Sequence, residues 1–444
     1  MSRARAGAAA ALIVMVLQIA TPRPSPALDL PGALREVASA NPTLASRQAM
    51  VEAARGRAGG AGAWFAPRLE VGVVNVPTRG GFDADPMTMK MIGVSQRLPV
   101  FGNQGLSRDA AREEITRESA GAMLTGYELL GMAWEAYADA YLSGELAAIA
   151  DRHLELMDRL VQAARARFES GNGRLEDLLR SQVERATTLG DRVTFAAEAA
   201  SARARLDALR GVAPGAATTD TSNVLAPPPA PVATTAQAWL AAVTPDHPRL
   251  RGITAEANGY RLSASAARRS AWPDLELRAS YGFREALAGP AGPIPQDDMF
   301  SASVGLTLPI LSGGRERGEG AALDAMARAR ESERRGAELE LQRELVVAHV
   351  EVTAQARTEA LLADTVITTL QRAVDASWSA YRAGTTDLWR VFESAHSLYD
   401  DEIALVRARQ ARARAESRLV ALTGRTDLLG VANALPEERT RSER

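Results

Sequence analysis

The chain has 444 residues, with 52 basic and 54 acidic side chains, a formal net charge of -2, four histidines and no cysteine. This length corresponds to two or three ordinary domains, and an apolar content of 46% allows a large buried core. The absence of cysteine excludes disulfides, thiolate metal sites, a cysteine nucleophile and a lipidated cysteine. The balanced charge offers no basic surface for nucleic acid.

The beginning of the chain has the pattern of an export signal. A basic segment at 2–5 precedes an apolar stretch at 8–20, and positions 25–27 offer the small residues that a signal peptidase reads. The apolar stretch is shorter than the roughly 20 residues of a membrane-spanning helix. We therefore predict a signal peptide over 1–27.

The remainder of the chain contains an internal sequence repeat. Asn41-Pro42 is echoed by His247-Pro248, and the segment at 168–171 is echoed by the segment at 381–384. The matching segments occur in the same order and lie about 210 residues apart. This pattern predicts a tandem duplication.

The duplication sets the predicted domain boundaries. The first repeat covers 28–210 and the second covers 236–430, and a proline-rich linker over 211–235 separates them. The polar residues 431–444 are predicted to be a disordered tail.

Each repeat contains a predicted pair of strands, at about 68–98 and about 274–309. In the second pair apolar and polar residues alternate, so that each strand has one apolar and one polar face. Such strands can cross a bilayer, although a soluble sandwich hairpin is the alternative. Four strands cannot close a barrel alone, so several chains must share one barrel if these strands enter a membrane.

Each repeat also contains one very long predicted helix, at about 103–168 in the first repeat and at about 315–381 in the second. Apolar residues in the first long helix recur at spacings of three and four, which indicates a coiled-coil seam. The seam residues are Met123, Tyr127, Leu130, Trp134, Tyr137 and Tyr141. Helices of about half that length flank each long helix, which favours a cylinder wall with two short helices stacked beside one long helix. A solid helical bundle is the alternative.

Three motifs mark the ends of these elements. The residues at 96–102 close the first hairpin, those at 308–315 close the second, and Tyr381-Arg382-Ala383-Gly384-Thr385-Thr386-Asp387-Leu388 follows the second long helix. Together with the signal peptide and Asn41-Pro42, their order in duplicate resembles the TolC family of outer membrane efflux proteins. The resemblance extends to about Gly430.

The resemblance implies a mainly α fold with a small β part. Tandem-duplicated long helical hairpins form a periplasmic tunnel, and four strands per chain join a shared 12-stranded barrel of a homotrimer in contact with outer membrane lipid. It also implies a protein that conducts its cargo passively and is not an enzyme, and that has no cofactor. The implied partners are a periplasmic adaptor protein and an inner membrane RND-type transporter, and nucleic acid is not among them. The sequence contains no nucleotide-binding or nucleophile motif.

The same resemblance places a periplasmic tip at 169–177 and 383–391. Asp177 and Glu393 correspond to acidic positions near the family's constriction, where three copies form a ring of charge that selects and gates. Arg390 stands where relatives often carry an acidic residue. Ordinary interhelical ion pairs among these three residues are the alternative. The predicted turn and adaptor-contact residues are Gly171, Gly173, Leu175, Gly384, Asp387 and Leu388.

Three methionines suggest a cargo. Met87, Met89 and Met91 lie two apart in the second predicted strand and therefore on one face. Thioethers are soft ligands that suit Cu(I), and the segment at 85–96 resembles the copper/silver and cobalt/zinc/cadmium branches of the family. We predict efflux of heavy-metal cations. Multidrug efflux or type I secretion is the alternative function, and packing against lipid or between strands is the alternative role of the methionines.

The four histidines form no motif at metal-site spacing. His153 and His349 lie on the long helices and are predicted to be seam or surface residues rather than ligands. Two other classes of protein fit less well. A periplasmic adaptor has one helical hairpin rather than a tandem pair, and a structural coiled coil needs no alternating strands.

Overall fold

The computed structural model describes residues 27–79, 81–83, 85–98, 102–213, 225–230, 232–308, 313–433 and 435. The predicted signal peptide, apart from Ala27, lies outside the described residues. So do parts of the predicted linker and the predicted tail beyond Leu435.

The first repeat contains four helices and two strands. They are α1 (Leu30–Ala40), α2 (Pro42–Gly60), β1 (Arg68–Val74), β2 (Met89–Leu98), α3 (Asn103–Glu169) and α4 (Leu175–Leu209). The second repeat follows the same plan. It contains α5 (Ala236–Leu240), α6 (Pro248–Arg269), β3 (Asp274–Phe283), β4 (Met299–Thr307), α7 (Gly313–Leu361), α8 (Thr368–Arg382) and α9 (Leu388–Thr423).

The second long helix differs from the single helix expected over 315–381. A π-helical turn, Leu362–Ile367, joins α7 to α8. A π turn inserts a residue and so changes which faces of the helix point inward on its two sides. The turn begins three residues after Glu359, which contacts Arg409 and Arg412 of α9.

The repeated motif of polar residue and proline has the same role in both halves. The Asn41 side chain accepts a hydrogen bond from the Thr43 N–H (2.9 Å) and donates one to the Leu209 carbonyl (2.7 Å). The Nδ1 atom of His247 accepts from the Arg249 N–H (3.3 Å), and its Nε2 lies 2.8 Å from the Leu422 carbonyl. Each motif therefore caps a helix that starts with proline and holds the end of α4 or α9.

Helix α3 is the centre of the helical part, since it contacts α2, α4, α6 and α9. Leu130, Trp134 and Tyr137 of the predicted seam are buried, while the other three seam residues are half-buried. Among the described residues, no helix is both long and apolar enough to span a membrane.

The four strands form one antiparallel sheet in the order β1-β2-β3-β4. The pairing of β2 with β3 joins the two repeats, with Ile92 opposite Tyr281. The predicted fold, mainly helical with four strands in a duplicated arrangement, is confirmed.

Candidate functional site

The two tip turns have the same backbone geometry. Gly171 and Gly384 have φ values of 75° and 73°, in the left-handed region that favours glycine. The Gly171 N–H donates to the Phe168 carbonyl (3.0 Å), and the next N–H donates to the Arg167 carbonyl (2.9 Å). The Gly384 turn has the matching pair of bonds to residues 381 and 380, both 3.0 Å. Both long helices thus end in a Schellman motif.

The remaining turn residues distinguish the two repeats. A Cβ atom at Gly173 would lie 2.9 Å from backbone atoms of Arg167 and Phe168, so the turn passes too close to α3 for a side chain. Leu388 is 5% exposed, whereas Leu175, its counterpart, is 51% exposed. Asp387 precedes α9 without a side-chain capping bond. The first turn therefore exposes its leucine, whereas the corresponding leucine of the second turn is buried.

The three predicted gate residues lie on two helices, with Asp177 near the start of α4 and Arg390 and Glu393 near the start of α9. Arg390 Nη1 lies 3.3 Å from Glu393 Oε2 on the same helix, and both side chains are exposed. Such a pair contributes about 0–1 kcal/mol. Within the described part of the chain, Asp177 forms no ion pair with either residue. Among the described residues, the ion pair within this set is therefore intrahelical.

Cation–π contacts connect the two hairpins at the tip. The Arg167 guanidinium lies 4.4 Å from the centre of the Tyr381 ring, and Arg180 lies 4.4 Å from the centre of the Trp389 ring. An apolar cluster lies between the hairpins. It consists of Met157, Leu160, Ala164, Tyr381, Leu388, Val391, Phe392 and Ala395. The tip is thus a packed joint between the two repeats.

The sheet has two chemically distinct faces. Residues that pair across the strands share a face, as Leu69 with Val94 and Leu277 with Val304. One face is apolar and exposed, and includes Leu69, Val71, Ile92, Val94, Leu277, Tyr281, Phe300, Val304 and Leu306. The opposite face is polar, and includes Glu70, Ser95, Glu276, Arg278, Ser280, Ser301, Ser303 and Thr307. The predicted alternation is therefore a property of the whole sheet.

The methionines lie at the end of the sheet away from the helices. Met87 precedes β2, so strand alternation does not set its direction, contrary to the expectation that all three share one strand face. Met91 pairs with Gly72 and Gly282 and therefore lies on the polar face, as does Met89. The sulfur of Met89 packs against Gly282. Two methionines are thus on the face opposite the apolar residues.

The histidines are less scattered than the sequence indicates. His153 of α3, Glu184 of α4 and His396 of α9 each place one donor atom within 4.8 Å of the others. His153 is buried and stacks on Tyr399, which agrees with the predicted seam position, but the sequence did not indicate that Glu184 and His396 lie beside it. No spacing rule could identify this cluster, because its histidines come from different repeats and meet only when the hairpins pack.

Comparison with known proteins gives a consistent result. The chain matches the family described as "OEP: Outer membrane efflux protein" over residues 33–212 and 242–425. It is 26% identical over 315 residues to the outer membrane efflux protein BepC of Brucella suis biovar 1 (strain 1330). That match covers 68% of this chain and 65% of the relative's length.

Two solved structures show the same fold. The outer-membrane channel OprN superimposes with a TM-score of 0.72 at 19% identity, covering 89% of this chain and 90% of that one. A structure of CusC superimposes with a TM-score of 0.69 at 17% identity, covering 91% and 92%. The likeness therefore extends over both repeats and the sheet.

Proposed function

Because the chain belongs to the outer membrane efflux protein family, we propose that three copies form an outer membrane channel that conducts its cargo passively to the exterior. The open sheet supports this assembly. Strands β1 and β4 are at its edges, and β4 is exposed along its full length. Exposed edges pair readily with other strands, and a barrel removes them. Three copies contribute 12 strands, enough to close one.

Exposed apolar residues on the helices support the same assembly. On α4 they are Leu175, Leu179, Val183, Leu189 and Val193, and on α7 they are Leu339, Val346, Val347 and Val350. Patches of this kind mark interaction surfaces. We infer that neighbouring copies cover the wall positions, and that a periplasmic adaptor contacts the tip near Leu175. An inner membrane RND-type transporter supplies the energy in this proposal.

Two neighbouring residues of β4 test the channel assembly. Val304 lies on the apolar face and Ser303 on the polar face, and both are exposed. We expect Val304→Arg to reduce the amount of trimer in the outer membrane, because it places a charge in lipid. Ser303→Arg should keep the trimer and lower cation conductance, since it places the same charge in the lumen.

The measurements are the oligomeric state in detergent and conductance in planar bilayers. A wild-type protein that runs as a monomer and gives no conductance contradicts the proposal. Equal loss of trimer in both variants contradicts the assignment of the two faces.

We further propose that the cargo is heavy-metal cations. The observation that carries this proposal is the position of Met89 and Met91 on the polar face of β2. On that face a thioether can meet a passing soft cation such as Cu(I) or Ag(I), whereas on the apolar face it would only contact lipid. The resemblance of the segment at 85–96 to the metal branches of the family agrees with this cargo.

We expect cells that lack the protein to become more sensitive to copper, silver, zinc or cadmium than to dyes and detergents. Complementation with Met89→Leu/Met91→Leu should restore the trimer but only part of the copper and silver resistance. Met50→Leu, at an exposed position on α2, is the matched control and should restore resistance fully. Growth inhibition curves measure each effect. Equal sensitivity to metals and to dyes favours multidrug efflux or type I secretion instead.

A further inference from the structure

Three helices from both repeats bring together a small group of side chains of the types that ligate metals. His153, Glu184 and His396 place their donor atoms within 4.8 Å of one another. His396 is eight residues into α9, or about 12 Å from its start at about 1.5 Å per residue. The group therefore lies above the tip, on helices and not on loops.

His153 is buried in a way that leaves one nitrogen unused. The residue is 6% exposed, and its Nε2 has no hydrogen-bond partner among the described residues. Its ring stacks on Tyr399, with centroids 4.2 Å apart. Burial, reinforced by the nearby His396, lowers the pKa of His153 to about 4.

The other two residues complete a donor set that solvent can reach. His396 Nδ1 lies 2.8 Å from Glu184 Oε1, and His396 Nε2 lies 3.4 Å from Asp400 Oδ2. His396 is half-exposed. A carboxylate behind a histidine is the usual outer-shell partner of a metal ligand, because it orients the ring and raises its basicity. Asp400 has this position.

We propose that His153, Glu184 and His396 bind one divalent cation of the zinc class, with water as the fourth ligand. Two imidazoles and one carboxylate are a common Zn²⁺ donor set. In a tetrahedral site with bonds of about 2.0–2.1 Å the donor atoms are about 3.3 Å apart, so small side-chain shifts suffice. The site has nitrogen and oxygen donors, unlike the thioethers of β2, and it does not rest on the proposed cargo.

Binding at this position has a structural consequence. The ligands come from α3 and α4 of the first repeat and from α9 of the second. A bound cation therefore crosslinks the two hairpins close to the tip, and stabilises the arrangement in which these helices are packed together.

The test uses the full-length assembled protein in detergent with Zn²⁺ as the probe. We expect one Zn²⁺ per chain in a competition titration against a chromogenic chelator at pH 7.5. His396→Gln should weaken binding by roughly 100-fold or more, and Asp400→Asn by about 10–100-fold. His349→Gln, on α7 outside the group, should bind as the wild type does. Because His396 and Asp400 are exposed, these variants should fold normally.

A second readout separates this site from adventitious binding. Co²⁺ at the site should give the visible absorption of a tetrahedral complex in the wild type and in His349→Gln, but not in His396→Gln. Zn²⁺ should also raise the temperature of thermal unfolding of the wild type and of His349→Gln, but not that of His396→Gln. Absence of stoichiometric Zn²⁺ binding, or equal binding by the wild type and His396→Gln, overturns the proposal.

Discussion

Arg412→Leu should destabilise the folded protein by about 3–5 kcal/mol, because it leaves the buried Glu416 carboxylate without its cation. The Arg412 side chain is 8% exposed and lies 2.5 Å from Glu416 and 3.0 Å from Glu359. Glu416 is also buried and accepts from the Trp134 indole N–H (3.3 Å). Burial raises the pKa of Glu416, and Arg412 counteracts that rise.

The pH dependence of the Arg412→Leu variant identifies this mechanism. Without the guanidinium, the pKa of Glu416 should rise further above its unfolded value. The folded variant then binds more protons than the unfolded chain between those two pKa values, so its stability falls as the pH rises through that window. The deficit relative to wild type should be larger at pH 8 than at pH 5.

Thermal unfolding and denaturant unfolding of the detergent-extracted protein measure both effects. Arg418→Leu is the control, since Arg418 and Glu351 form an exposed pair on the same two helices. Its effect should stay below about 1 kcal/mol. Equal effects of the two variants, or a deficit independent of pH, argue against a buried ionic network as the joint between α7 and α9.

Gly131→Ala should cost about 2–3 kcal/mol, although alanine normally favours a helix over glycine. A Cβ atom at Gly131 would lie 2.6 Å from the Ser417 carbonyl oxygen and 2.8 Å from the Ala421 Cβ. Both contacts involve atoms that side-chain rotation cannot move. Helices α3 and α9 would have to separate.

Gly144→Ala is the matched control on the same helix. A Cβ atom there meets nothing within 4 Å in the described chain, so this variant should be unchanged or more stable by up to about 1 kcal/mol. Relative to wild type, the free energy of unfolding should therefore fall in Gly131→Ala and stay the same or rise in Gly144→Ala. A neutral Gly131→Ala would mean that α3 and α9 do not approach as closely as the structure indicates.

Periodic and local features were predictable from the sequence. The duplicated Asn41-Pro42 and His247-Pro248 caps, and the glycines at 171 and 384, depend on backbone conformations within a few residues. Strand alternation likewise depends only on neighbouring positions. These features were sufficient to predict a duplicated plan of long helices and four strands.

The face on which the strand methionines lie depends on the neighbouring strands. The spacing of Met89 and Met91 indicates a shared face, but only pairing with β1 and β3 decides that this face is the polar one. The prediction that Met87 lies in the strand was wrong, because β2 begins at Met89 and Met87 belongs to the preceding loop. A strand's first residue depends on its partner strands as well as on its own sequence.

By itself, the sequence determined the elements of this protein, because helices, caps, turns and strand alternation arise from interactions between near neighbours. The tertiary structure alone decided which charged and metal-binding groups meet. Arg412 with Glu359, and His153 with His396, are far apart in the chain and are brought together by the packing of helices against one another. That packing buries apolar surface along whole helices. The spacing of residues in the sequence therefore does not predict which polar side chains become neighbours.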